Sequence, residues 1–222
     1  MRIVISGGHG KIALLLAQRL TRRGDQVNAL IRDPAQAPDI VATGGVPVIY
    51  DMERDSAADL DAAIAGSDAV VFAAGAGPGS GVERKYTVDL GGSVQLAAAA
   101  ERTGVRRFVQ ISTMGAGVAP APGTDEVWAA YLDAKTRAEQ DLRARALDWT
   151  IVRPGRLTDT AGNGMVTLGP PPIPRADIPR ADVAATLASI LVADNTFRRT
   201  LELVSGAVPI DTAIAALPIA EN

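Results

Sequence analysis

The sequence predicts an α/β domain built on a parallel sheet, and three observations predict it. Short β-branched runs alternate along the chain with alanine- and leucine-rich stretches of helical spacing, a pattern that calls for right-handed crossovers. The first run breaks into a glycine-rich turn directly before a helix, in Val4-Ile5-Ser6-Gly7-Gly8-His9-Gly10-Lys11. The length, 222 residues with 47% hydrophobic and 21% charged, suits one globular domain.

Taken in order, strands are expected at 2–6, 26–31, 46–50, 69–73, 107–112 and 149–153, with helices at about 11–23, 56–65, 87–103 and 125–146. In the first helix Ile12, Leu16 and Leu20 recur at i, i+4 as the buried stripe, which leaves Arg19, Arg22 and Arg23 to water. Gly24 and Gly104 stand just past helical runs, where a left-handed terminal residue is favoured. Thr124, followed by Asp125 and Glu126, reads as an N-cap with acids in the first turn. The stretch 154–179 holds six prolines and four glycines and reads as mostly loop. A helix at about 180–193, a strand at about 199–204 and a terminal segment close the chain.

Composition excludes several chemistries. Without cysteine there is no thiol nucleophile, disulfide or thiolate metal site, and the single histidine, His9, leaves a histidine zinc site short of ligands, so no metal is expected. A net charge of −3 gives no electrostatic case for nucleic acid or an anionic membrane, and the expected partner is a small-molecule substrate. The apolar run at 3–5 is too short for a signal-peptide core, and later runs break before the ~20 residues of a spanning helix, so a cytoplasmic location is the default.

Gly8-His9-Gly10-Lys11-Ile12-Ala13 fits G-x-G-x-x-G/A, with Gly7, Gly10 and Ala13 as a second register. Between a strand and a helix, such a turn lets the backbone approach a pyrophosphate while free N–H groups point at it, so a bound dinucleotide is expected. Arg32 ends the second strand, 22 residues after Gly10, where a guanidinium accommodates a ribose 2′-phosphate. Lys11 is read as a second positive charge nearby, and together they favour NADP(H). Asp33 keeps NAD(H) open, because it could point back to a ribose.

With these residues in place the chain resembles the short-chain dehydrogenase/reductases, specifically the atypical single-domain NAD(P)H-binding group similar to NmrA-like regulators and flavin/biliverdin reductases. The likeness runs from Met1 to about Ala216. It implies a Rossmann-type doubly wound sheet of about seven strands ordered 3-2-1-4-5-6-7, one domain over 1–222, and a short C-terminal substrate-loop region. On the same resemblance the cofactor is held by Gly7, Gly8, His9, Gly10, Lys11, Ile12 and Arg32. Asp51 and Met52 match the adenine-contacting acid and its apolar neighbour. Ala73-Ala74-Gly75 matches the segment under the adenine ribose, Ser112 the end of the fifth strand, and Pro154-Gly155 the turn beside the nicotinamide. "IPRADVAATLASIL" is similar to the family's late helix. His9 stands where many relatives carry a small hydroxyl residue.

Tyr131 and Lys135 form Y-x-x-x-K, which puts both side chains on one helix face. A neighbouring ammonium favours the phenolate and brings the tyrosine toward general acid/base work, and the lysine can also hold the nicotinamide ribose. The resemblance adds a hydroxyl that orients the substrate carbonyl, best matched by Thr113, with Ser112 before it. Trp128 and Trp149 are read as packing residues, and the acids of "DMERDSAADLD", Asp51 apart, as a solvated helix start. Loops at about 75–85, 114–127 and 155–178 should shape the substrate pocket. Val118, Trp128, Leu157, Met165 and Leu168, with few charges, point to an apolar or aromatic substrate. The function expected is an NADP-dependent oxidoreductase passing a hydride between nicotinamide and a small carbonyl, quinone or flavin-like substrate. The alternatives are a non-catalytic NAD(P) sensor of NmrA type and, with less support, a small epimerase or isomerase.

Overall fold

Strands with successive apolar residues pointing to opposite sides must bury both faces, and here they do. In β1 (Arg2–Ser6) Ile3 and Ile5 join one core while Val4 joins another, and β4 (Ala69–Phe72) divides in the same way, Ala69 and Val71 against Val70 and Phe72. The computed structural model describes residues 1–77 and 79–218. The first core lies under α1 (Lys11–Arg22), α7 (Arg180–Ile190) and α8 (Ile210–Ala215), and the second under α3 (Ala57–Ile64), α5 (Ser93–Thr103) and the end of α6 (Glu126–Arg143).

The remaining strands are β2 (Gln26–Ile31), β3 (Val46–Ile49), β5 (Arg107–Ile111), β6 (Asp148–Pro154), β7 (Arg156–Thr158), β8 (Met165–Gly169), β9 (Asp177–Pro179), β10 (Arg199–Ser205) and β11 (Val208–Pro209). The main sheet runs β11-β8-β10-β6-β5-β4-β1-β2-β3. Its seven parallel strands follow the expected 3-2-1-4-5-6-7 order, with β10 as the seventh. The order reverses between β1 and β4, and in such sheets the crevice at that switch point is where ligands bind.

The stretch 154–179 is less irregular than its prolines suggest. β7 and β9 pair as a small parallel ribbon, and β8 adds antiparallel to β10 with Leu168 opposite Leu203. Only the neighbouring strand supplies the register, so local composition carries no sign of it. A short α2 (Ala37–Ala42) is also unanticipated.

The helix expected at 87–103 starts earlier, as α4 (Val82–Arg84), and passes through a π-type segment at Lys85–Gly92 into α5. Such widened turns are frequent at functional sites. This one carries Lys85 and Asp89, both buried. At α6 the cap is Asp125, whose carboxylate accepts the Trp128 N–H at 2.9 Å, while the Thr124 hydroxyl donates to Ala121 O instead. Gly24 and Gly104 adopt the expected left-handed conformation, at φ +94° and +76°. No described helix is long and apolar enough to cross a membrane.

Candidate active site

The glycine turn fills the β1/β4 switch point, and its glycines do different work. Gly7 sits at φ +74°, and a Cβ there would lie 2.5 Å from Ala74 Cα; one on Gly8 would lie 2.6 Å from Ala29 Cβ. Both are glycine because the turn packs against the strand ends. Gly10 has an ordinary extended conformation, and an added Cβ would crowd only Gly7 O, at 3.2 Å, with Ala73 O in ordinary contact at 3.9 Å, so it is the position that leaves the cleft open. It caps α1 without a side-chain hydrogen bond, and the first helical N–H groups have no intrahelical acceptor. That makes an anion site at the mouth of the crevice.

On one side of the turn a cavity of about 280 Å³ is bounded by Gly7, Gly8, His9, Gly10 and by Arg32, Asp51 and Met52. Asp51 accepts the Glu53 N–H at 3.0 Å, which fixes the loop after β3. Arg32 faces this space with a second cation that is not Lys11. Arg84 donates to Glu53 at 2.7 Å, and Arg32 lies 3.8 Å from the same carboxylate. Arg84, followed by the Thr87 hydroxyl, holds the Glu53 carboxyl below its ordinary range against a smaller opposing effect of burial. Lys11 reaches instead to Asp159 at 2.6 Å and is absent from the wall of this cavity, because helix α1 turns its side chain toward the loop after β7. Asp33 Oδ1 accepts the Ala35 N–H at 2.9 Å, capping the short turn after β2, and the residue is not among those bounding this cavity. His9 donates to Asp39 at 2.7 Å, at the surface.

Ala73, Ala74, Gly75 and Ala76, leaving β4, form the wall that this cavity shares with a larger one of about 930 Å³. Ile12, Tyr131, Lys135, Thr113, Pro154 and Gly155 line the larger space. Lys135 is almost wholly buried. Its ammonium donates to Ile111 O at 3.3 Å, sits 3.2 Å from Asp89 Oδ1 and lies 5.8 Å from the centroid of the Tyr131 ring. Asp89 is anchored in turn by the Ala76 N–H at 3.0 Å. The i, i+4 geometry of α6 thus brings Tyr131 and Lys135 together, and the π-type segment supplies a carboxylate that spacing could not reveal.

Ser112 borders this cavity, but its hydroxyl is turned away. It donates to Glu139 Oε1 at 2.6 Å, and Glu139 also receives Arg153 at 2.8 Å and Arg143 at 2.6 Å. A hydroxyl committed to a buried carboxylate in an ion network is a structural tie; of this pair Thr113 keeps the freer hydroxyl, which makes only a 3.4 Å bond to Met114 O, and it lines the cavity. At Gly155 a Cβ would clash with Ala176 O, which explains the Pro-Gly turn: the small ribbon must pass directly over it.

The three expected loops do border the larger cavity, with Pro78 of the first lying outside the described residues. Its chemistry differs from the expectation. Val118 is exposed elsewhere, and Met165 and Leu168 belong to β8, so of the five apolar residues only Trp128 and Leu157 line it. Trp128 is half exposed and stacks on Tyr131 with ring centroids 5.1 Å apart, so it belongs to the site; Trp149 is buried packing, as expected. Charged side chains enter from Lys85, Arg156, Arg175, Asp177 and Arg180. They come from the π-type segment, from β7, β9 and the start of α7, and from the loop before β9, elements whose meeting at this cavity only the folded sheet decides.

Residues 7–194 match the NAD(P)H-binding family. The chain belongs to that family. It is 32% identical over 218 residues to a Bacillus subtilis protein named an uncharacterized sugar epimerase, YhfK, covering 98% of this chain and 100% of that one. Among solved structures, a Bacillus halodurans protein named for an NAD-dependent epimerase/dehydratase superposes with a TM-score of 0.89 at 34% identity, over 98% of this chain and all of that one. The oxidoreductase ylbE from Lactococcus lactis gives 0.88 at 26%, over the whole of both chains. These likenesses are those of an atypical short-chain dehydrogenase/reductase.

For an NAD(P)H-binding protein the two joined cavities fit a dinucleotide. The uncapped α1 terminus with open Gly10 suits a pyrophosphate, the smaller cavity has room at Asp51 and Met52 for the adenosine end, and the larger holds Lys135 and Pro154-Gly155. Glu53, Arg84, Asp89, Lys85 and Arg175 escaped the sequence reading. The signal that could have raised Asp89 and Lys85 is their i, i+4 spacing in a helix that follows β4, two charges with no place on an apolar face.

Proposed function

We propose that this NAD(P)H-binding protein is an NADP-dependent oxidoreductase acting on a small carbonyl, quinone or flavin-like compound. The observation that carries the reading is Tyr131 in the wall of the larger cavity, 5.8 Å from a buried ammonium and continuous with the glycine turn. A bound NADP supplies two-electron hydride chemistry at its nicotinamide ring. The chain's own part is to bind, orient and move a proton. Tyr131 Oη gives a proton to the substrate oxygen as it gains charge, and Lys135 stabilises the phenolate that remains. Asp89 and Ile111 O fix that ammonium in place. Thr113 orients the substrate carbonyl, and Trp128, stacked on Tyr131, with Leu157 gives an apolar wall.

Preference for NADP rests on Arg32 and Arg84 in the adenosine-side cavity and on Asp33 being engaged elsewhere. A cytoplasmic location belongs to the same proposal. The test is a turnover screen with NADPH against quinones and aldehydes, followed at the absorbance of the reduced nicotinamide, beside binding isotherms for NADPH, NADP, NADH and NAD. Consumption of NADPH with at least one acceptor is the expected result. Tight binding with no turnover would favour a sensor. Interconversion of a sugar with no net loss of dinucleotide would favour the epimerase chemistry named for the Bacillus relatives.

A further inference from the structure

The larger cavity carries more positive charge than its carboxylates offset. Asp89 pairs with Lys135, Asp177 with Arg156, and Asp159 with both Arg180 and Lys11. Asp125 is taken up in capping α6. Two cations in the cavity wall remain without an acidic partner among the described residues, Lys85 and Arg175.

Lys85 is the more telling of the two. It is only 7% exposed, so its ammonium has lost most of its water, and that desolvation is costly unless an opposite charge repays it. Its hydrogen bonds go to neutral oxygens, Gly77 O at 3.1 Å and Ser80 Oγ at 2.8 Å, while an ammonium has three protons to donate. The same nitrogen stands 5.8 Å from the Tyr131 ring centroid. It lines the larger cavity and not the smaller one, so neither the pyrophosphate turn nor the adenosine end accounts for it.

Arg175 enters from the loop between β8 and β9. Its guanidinium lies over Gly115, where an added Cβ would be 2.8 Å from Nη2 and 3.6 Å from Leu132 in the helix that carries Tyr131. Gly115, at φ +99°, is left without a side chain where the arginine crosses. A planar guanidinium and a compact ammonium facing one cavity are the donors that bind an oxyanion.

We propose that Lys85 and Arg175 form an oxyanion site, so that the substrate class of this cavity is a carbonyl compound with an apolar or aromatic body and a carboxylate-type group. The carbonyl half of that statement rests on the oxidoreductase reading; the anion half does not. The oxyanion replaces the missing counter-charge of Lys85, and Trp128 and Leu157 cover the apolar body.

The probes are 4-carboxybenzaldehyde and its methyl ester as substrates of the NADPH-loaded protein, and terephthalate against terephthalamide in calorimetric titrations of the NADP-loaded protein. The acid should exceed the ester in kcat/KM by at least about tenfold. Terephthalate should bind at least about tenfold tighter than the diamide. Lys85→Met and Arg175→Gln should each bring both ratios to within about threefold of one. Arg175 is exposed, so its variant keeps the test valid should Lys85→Met fail to fold. If neither aldehyde is reduced but terephthalate binds the parent and not the variants, the oxyanion site stands and the oxidoreductase reading fails. Ester reduced as well as acid, terephthalate binding no better than the diamide, or ratios unchanged in Arg175→Gln would overturn the oxyanion site.

Discussion

Tyr131 shows what a single residue can be asked to prove. Its ring is held by Trp128 on one side and lies near two ammonium groups, so Tyr131→Phe keeps the packing and removes only the hydroxyl. Turnover of any reducible substrate should fall by about 10²–10⁴, as for a lost general acid, with NADP affinity nearly unchanged. A variant within a few-fold of the parent would make Y-x-x-x-K a coincidence of helix spacing. Lys135→Ala should lower turnover and weaken cofactor binding together, and it strands Asp89 in a buried position, so its melting temperature must be read alongside. Arg32 sets the other residue-scale expectation. Charge-assisted bonds to phosphate are worth about 1.5–3 kcal/mol each, so NADPH should bind at least about tenfold tighter than NADH. Arg32→Ala should remove most of that gap, with Arg84 keeping the rest; equal affinities in the parent would refute the NADP preference.

At the scale of elements, the glycine turn separates ligand binding from packing. Gly7 and Gly8 are held by Ala74 and Ala29, so side chains there damage the fold and say nothing about a cofactor. Gly10 is different. Its φ of −64° and ψ of 148° suit any residue, and a Cβ there needs only Gly7 O to yield slightly. Gly10→Val should therefore keep its circular dichroism spectrum while losing at least about tenfold in NADP affinity, because the branched side chain stands where the backbone approaches the pyrophosphate. Undiminished affinity in the folded variant would mean that the turn is only structural. The six strands up to β6 were legible because each is a β-branched run between turn residues. The π-type segment was not, since an alanine-rich helix with two glycines reads the same whether or not one turn is widened. The same holds for β7, β8 and β9, whose hydrogen bonds come from distant strands.

Across the whole molecule, one buried charge ties the far end of the sheet together. The Arg107 guanidinium, from the start of β5, donates to Asp148 O and Thr150 in β6 and to Ile190 O and Thr196 beyond α7, and it lies 4.7 Å from the centre of the Phe197 ring. Burial pulls its pKa down to about 10, which leaves it charged at any working pH. Arg107→Ala removes four hydrogen bonds from these oxygens, of which Ile190 O keeps Ala193 N–H and the two threonine hydroxyls keep each other, and it opens a void, so it should cost roughly 3 kcal/mol or more, read as a lower melting temperature. It stands at the opposite, N-terminal end of β5 from Thr113, so NADP affinity of the folded fraction should be unchanged. A loss of affinity without a loss of stability would contradict this separation.

The sequence by itself determined the parallel sheet, the turn that ends β1, Arg32 just past the end of β2, and the tyrosine–lysine pair on α6, each written in local spacing that periodicity and turn chemistry suffice to find. The order of the strands came from the family resemblance, because no local pattern says which strands lie side by side. The tertiary structure alone decided which charges meet. It sent Lys11 to Asp159 rather than toward Arg32, took the Ser112 hydroxyl into the Glu139 network, and replaced an apolar pocket by one that Lys85 enters from the π-type segment and Arg175 from the loop before β9. Long side chains reach several ångströms from their backbone, and their partners lie tens of residues away. Their pairing is settled by how strands and crossovers stack, and no window of sequence contains it.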